Sequence, residues 1–295
     1  MLRLTGSLVA LATPFREGRL DEEAYRGLIA AQLAGGTSGL VPVGTTGEAV
    51  TMTAAERTRA VRVAVEVSNG RVPVVAGAGT SSTQTTIENI AQVREAGADA
   101  ALVVTPYYNK PSQAGLYEHY RACARAHPGF PLVPYNVPGR TGCDLLPDTC
   151  LRLCELPEVV ALKEATGSVV RAVDIREKCG ERLLLLSGDD FTVAPFIAVG
   201  GEGVISVSAN VVPRKMADLV VAARGGDRAR ARDLQVELNP LHRLLFAEPN
   251  PVPVKWALHL LGVFGPEIRL PLVALGEPHA SALAAELRRL GLARN

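Results

Sequence analysis

The ten residues Ala96-Gly-Ala-Asp-Ala-Ala-Leu-Val-Val-Thr105 hold a helix end, a glycine turn and an apolar run. Gly97 can take the left-handed conformation that closes a helix. The run Ala100–Thr105 is apolar until its last residue, as a strand covered on both faces should be. The same logic recurs at Ala34-Gly-Gly-Thr-Ser-Gly-Leu-Val41 and Val199-Gly-Gly-Glu-Gly-Val-Ile-Ser206. Taking Gly35 and Gly97 as equivalent, the spacing is 97 − 35 = 62 residues, or two units of about 31, a βα length.

Eight such runs alternate with segments of helical period: Ser7–Thr13, Gly39–Val43, Val72–Ala76, Ala100–Thr105, Pro131–Asn136, Val159–Lys163, Leu183–Ser187 and Gly203–Val207. Helix starts are signalled by Asp21, by the capping box Thr53-Ala-Ala-Glu56 and by Pro213. Eight alternating units favour an α/β fold of the (β/α)8 TIM-barrel type. The competing open sheet lacks its glycine fingerprint, since Gly77-Ala-Gly79 runs into Thr80-Ser81-Ser82. After Ala223 the strand pattern stops, and segments near 228–246, 252–263 and 280–291 read as helices. The expected organisation is a barrel over 1–223 and a C-terminal helical extension over 224–295 packed on it, with no linker-like segment between.

Composition narrows the partners. Thirty-one basic residues face 30 acidic ones, without the clustered cations that nucleic acid or an anionic membrane selects. No apolar stretch of about 18 residues exists to span a membrane. The five cysteines form no C-x-x-C pair, which fits reduced thiols and a cytoplasmic location. None of the five histidines stands in a metal-ligand spacing, and no P-loop or G-x-S-x-G elbow occurs, so neither metal nor cofactor is expected.

In a barrel the chemistry sits where strands end at the C-terminal face. Lys163 closes the run Val159-Val-Ala-Leu-Lys163, and no other lysine ends a strand. Desolvation there would lower its pKa and free the amine as a nucleophile. The alternative is a lysine that snorkels out or pairs with Glu164. Tyr107, Tyr108 and Tyr135 end the fourth and fifth runs, where a phenol can shuttle protons or simply pack. Thr45 and Thr46, between glycines, could hold a carboxylate or form a tight turn. Arg140 suits a bidentate grip on a carboxylate, or a place on the surface.

At these residues the chain resembles the dihydrodipicolinate synthase/N-acetylneuraminate lyase family. The resemblance runs nearly end to end, through Thr5-Gly-Ser7, Gly44-Thr-Thr-Gly-Glu48, Thr105-Pro-Tyr-Tyr-Asn-Lys-Pro111, Tyr135-Asn-Val-Pro-Gly-Arg-Thr-Gly142, Leu162-Lys-Glu-Ala-Thr-Gly167, Ser187-Gly-Asp-Asp190 and Glu248-Pro-Asn-Pro-Val-Pro-Val-Lys-Trp256. It implies that Lys163 condenses with pyruvate and that Tyr135 relays protons to and from the imine and enamine. Thr45 then links Tyr135 to Tyr108, which in the family reaches across a dimer interface into the partner's site. Thr46 would bind the pyruvate carboxylate and Arg140 the carboxylate of the second substrate, while the backbone carbonyls of Gly188 and Ile205 face the bound substrate.

Arg140 in Tyr135-Asn-Val-Pro-Gly-Arg140 follows the synthase pattern, whereas neuraminate lyases tend to carry an apolar residue there. The implied second substrate is therefore L-aspartate-β-semialdehyde, and the implied product 4-hydroxy-tetrahydrodipicolinate, on the route to diaminopimelate and lysine. A related pyruvate-dependent aldolase, or a barrel that binds 2-oxo acids without catalysis, are the competing readings. The family context implies a homo-oligomer of at least two chains, often a dimer of dimers. Ala49, Ala54, Arg57, Ser81 and Thr85 replace the polar set, glutamate included, that lysine-inhibited members often carry beside the tyrosine matching Tyr107. Weak or absent inhibition by lysine is expected.

Overall fold

The computed structural model describes residue 2 and residues 4–293. Met1 and Asn295, the outer ends of the two expected spans, lie outside the described residues. Each apolar run overlaps one strand, with Gly6, Gly77 and Glu164 one residue outside: β1 (Gly6–Ala10), β2 (Gly39–Val41), β3 (Val75–Gly77), β4 (Ala100–Val104), β5 (Leu132–Asn136), β6 (Ala161–Glu164), β7 (Leu184–Ser187) and β8 (Gly203–Ser206). Neighbours pair in parallel in the order β2–β1–β8–β7–β6–β5–β4–β3. A parallel bridge between Leu40 and Val74 joins the two ends of that row and closes the barrel.

Most strands are shorter than their runs, for local reasons. Pro73 has no N–H to donate; its carbonyl accepts from Leu40 at 2.9 Å and β3 begins only at Val75. Beyond β1, Ala12 N–H donates to the Asn210 side chain instead of to a strand. The glycine repeat is displaced by one residue at its first copy. Gly36 (φ +87°), not Gly35 (φ −73°), is the left-handed partner of Gly97 (φ +95°) and Gly200 (φ +103°). Gly35 is needed for closeness instead, because an added Cβ would lie 2.5 Å from Pro213 Cβ.

Helices α1 (Glu22–Ala34), α2 (Ala54–Ser68), α3 (Thr83–Glu95), α4 (Gln113–Ala126), α5 (Pro147–Leu153), α6 (Val169–Cys179), α7 (Val193–Ala198) and α8 (Pro213–Arg224) follow the strands in turn. Asp21 caps α1 by accepting from Ala24, and both halves of the Thr53–Glu56 capping box are made. Strand side chains alternate strictly. Val9, Leu40, Ala101, Leu132, Leu162 and Leu185 pack outward under the helices. Leu8, Val41, Leu102, Val133, Ala161, Leu186 and Ile205 fill the barrel interior. That alternation decides which strand ends face the lumen.

Three further helices, α9 (Arg228–Leu245), α10 (Val252–Leu260) and α11 (His279–Arg289), share the outer core with α8. Among the described residues no helix is long and apolar enough to cross a membrane. All five cysteines are free thiols.

Candidate active site

Parity carries Lys163 and Tyr135 into the lumen. Ala161 points inward, so Lys163, two residues on, does too; Val133 fixes Tyr135 in the same way. The two are register partners on β5 and β6, and Lys163 Nζ sits 4.1 Å from the centroid of the Tyr135 ring. Lys163 is only 6% exposed, so it does not snorkel. Nor does it pair with Glu164, whose carboxylate accepts from Asn136 Nδ2 at 2.9 Å and from Thr166 N–H at 2.7 Å. Burial lowers the Lys163 ammonium from 10.5 to about 7, aided by the Arg140 charge and opposed by Asp190. Near that value about half the molecules carry a free amine at neutral pH, against about one in 3,000 for a lysine at 10.5. The rate of adduct formation with a ketone should rise about tenfold per pH unit below 7 and level off above it. Stopped-flow measurement across that range checks this; a rise continuing to pH 10 would contradict it.

Burial pushes the Tyr135 phenol up, against the Arg140 charge and a hydrogen bond with Thr45, while Glu164 adds to the rise. The phenol therefore stays protonated and can donate. Beside it opens a cavity of about 420 Å³ whose lining includes Thr45, Tyr135, Arg140, Tyr107, Arg57 and Thr85. Two guanidinium groups and no carboxylate line it, which suits an anionic guest.

Thr46 follows Thr45 in the chain but, like Lys163, Gly188 and Ile205, is not among the residues lining this cavity; it is buried, its hydroxyl accepting from Asn250 Nδ2 at 3.0 Å. Arg140 stands on a single helical turn, Pro138–Thr141, and donates to the Asn250 carbonyl at 3.2 Å. The Ile205 side chain packs inside the barrel. Gly188 lies against the lysine: a Cβ there would sit 2.6 Å from Ala165 Cβ and 3.0 Å from Lys163 Cε. Gly188→Ala should therefore press on both Ala165 and Lys163, displace the amine and lower kcat/KM about 100-fold, with some loss of stability. Unchanged kinetics in that variant would show that Lys163 tolerates the shift.

Tyr108 is not brought to this cavity. It is 92% exposed, in the left-handed region at φ +73°, held by its N–H to the Thr141 carbonyl and by Asn109 Nδ2 to the Ser81 carbonyl at 2.8 Å. Tyr107 lines the cavity in its place.

Three residues acquire a place here that the sequence alone did not assign. Asp190 is buried, accepts from the N–H groups of Val207 and Ser208, and exerts its charge on Lys163. Asn250 and Lys255 come from the C-terminal extension. The one available signal was a polar residue fixed between Pro249 and Pro251, in a motif otherwise without a role. His242, read as packing, is buried with Nδ1 2.8 Å from Ser208 Oγ.

The model of the dihydrodipicolinate synthetase family matches residues 3–290. The chain belongs to this family. A 4-hydroxy-tetrahydrodipicolinate synthase from Anaeromyxobacter sp. (strain Fw109-5) is 54% identical over 293 residues, covering 99% of both chains. The chloride-inhibited dihydrodipicolinate synthase from Acinetobacter baumannii, solved with pyruvate, superposes with a TM-score of 0.96 at 43% identity, covering 98% of this chain and 100% of that one. A monomeric dihydrodipicolinate synthase variant superposes equally well, at 0.96 and 39% identity, covering 98% of this chain and 97% of that one. The (β/α)8 expectation is thus met both by the closed sheet and by the family's solved members.

Proposed function

We propose that this chain condenses pyruvate with L-aspartate-β-semialdehyde to give 4-hydroxy-tetrahydrodipicolinate, using Lys163 as the Schiff-base nucleophile. One observation carries the reading: a buried lysine, its pKa lowered by burial, lies 4.1 Å from the ring of a buried phenol that itself lines a cavity with two arginines and no carboxylate. The Lys163 amine adds to the ketone carbon of pyruvate, and water leaves as the C=N bond forms. The imine acidifies the methyl group, and Tyr135 relays the proton that departs as the enamine forms. The enamine carbon attacks the aldehyde of the second substrate. The amine of that substrate then displaces Lys163, which returns to its free form as the ring closes.

In this scheme Thr46 binds the pyruvate carboxylate and Arg140 the second one, while Gly188 and Ile205 offer backbone carbonyls to the substrate. Thr45 connects Tyr135 to Tyr108 of a second copy. An exposed, conformationally fixed Tyr108, with exposed Val50 on the cavity rim, supports a working unit of at least two chains. Val170 and Val173, exposed on α6, offer a further apolar face for a tetramer. We place the enzyme in the cytoplasm, and we treat 1–223 and 224–295 as barrel and extension. Turnover of pyruvate with L-aspartate-β-semialdehyde, against none with N-acetylneuraminate, is the expected assay result; the reverse preference would mean an aldolase.

Lysine should inhibit weakly. Ala49, Arg57, Thr85 and Tyr107 all line the cavity, and no carboxylate there can hold an ammonium group. Loss of a charge-assisted contact of about 1.5–3 kcal/mol weakens binding roughly 10- to 150-fold. Steady-state rates should stay near full at millimolar lysine; half-inhibition at sub-millimolar lysine would refute this.

A further inference from the structure

Two motifs, Gly44-Thr-Thr-Gly-Glu48 and Glu248-Pro-Asn-Pro-Val-Pro-Val-Lys-Trp256, meet through a pair of charges that the scheme above does not use. Lys255 Nζ lies 2.5 Å from Glu48 Oε1, with both side chains almost fully buried. Glu48 Oε2 accepts from Arg269 N–H at 3.1 Å, and the ammonium sits 4.5 Å from the Phe15 ring centroid. Glu48 itself holds a left-handed backbone, φ +55°, and its N–H returns to the Thr45 carbonyl at 3.1 Å. The carboxylate is thus fixed by the same tight loop that carries Thr45 and Thr46. At the other end, Lys255 stands on α10 five residues after Asn250, whose side chain reaches Thr46 and whose carbonyl reaches Arg140.

These contacts close a ring: Glu48 to Lys255, along the chain to Asn250, and back to Thr46 in the Glu48 loop. Its chemical consequence falls on the Thr46 hydroxyl. Because that oxygen accepts from Asn250 Nδ2, its own proton is left free to donate to another acceptor. A buried ion pair is a poor way to gain stability, since well-packed apolar side chains of the same volume serve as well. It is a good way to fix one arrangement out of several. We propose that Glu48 and Lys255 are positioning residues that make the C-terminal extension one wall of the carboxylate subsite, aligning Asn250 so that Thr46 presents its hydroxyl proton to pyruvate. This rests on the Thr46 reading above.

The test is steady-state kinetics of Lys255→Met, Glu48→Gln, Asn250→Ala and Thr46→Val, with melting temperatures measured alongside. Thr46→Val should raise the KM for pyruvate about tenfold or more, the effect of losing one hydrogen bond to a charged group. Lys255→Met or Glu48→Gln should raise it comparably while kcat moves less than about threefold, and neither should add to the effect of Thr46→Val. Should Lys255→Met fail to fold, Glu48→Gln keeps the volume and Asn250→Ala leaves the ion pair intact; both should raise the same KM. If these variants lower the melting temperature and leave the KM unchanged, or add independently to Thr46→Val, the pair is only a staple and the proposal fails. If Thr46→Val itself leaves the KM unchanged, the underlying carboxylate reading fails first.

Discussion

Lys163→Ala is expected to abolish turnover, lowering kcat by about 10⁴- to 10⁶-fold, because among the described residues no lysine lines the cavity to take its place. The other buried lysine among the described residues, Lys255, is committed to Glu48. The loss should appear in kcat as well as kcat/KM. The variant should fold normally, since trimming Lys163 removes a desolvated amine with no ion-pair partner. A circular-dichroism spectrum and melting curve like those of the parent chain, with no product by coupled assay, is the expected pair of results. Activity within tenfold of the parent would mean that the nucleophile lies elsewhere.

Tyr135→Phe carries the second-largest effect. The phenol is buried, kept protonated by its surroundings, and its ring lies 4.1 Å from Lys163 Nζ. Removing its hydroxyl leaves the packing of the ring but takes away the group that moves protons at imine and enamine, a contribution of about 10²- to 10⁴-fold. The defect should be mainly in kcat, and exchange of the pyruvate methyl protons with deuterated water should slow with it. Normal exchange with slow product formation would place Tyr135 in a later step. A raised KM alone would make it a packing residue.

Much of this was legible in the residues, and the reason is parity. An all-parallel barrel buries its strands on both faces, so each strand writes itself as an unbroken apolar run. A single polar residue at the end of a run, as in Val159-Val-Ala-Leu-Lys163, then stands out against that background. Strand ends drifted where a donor turned to a side chain, as at Ala12, or a proline intervened, as at Pro73. The glycine equivalence slipped by one at Gly35, because a glycine required for close approach to Pro213 reads the same as one required for a positive φ. Contacts across the chain were hidden altogether. Glu48 and Lys255 lie 207 positions apart, and nothing local marks a helical lysine as buried. Asp190 was visible as one of two adjacent aspartates at a strand end, but not as the charge that opposes desolvation of Lys163. Tyr108 is a different case: it stands 92% exposed and does not line the cavity, and the role proposed for it belongs to a second copy.

The most direct test of the account is reductive trapping. Incubation with pyruvate and borohydride, followed by proteolysis and mass spectrometry, should place a stable secondary-amine adduct on the peptide containing Lys163. It should appear only when both reagents are present, with loss of activity in proportion. No adduct, or an adduct on another lysine, would contradict it.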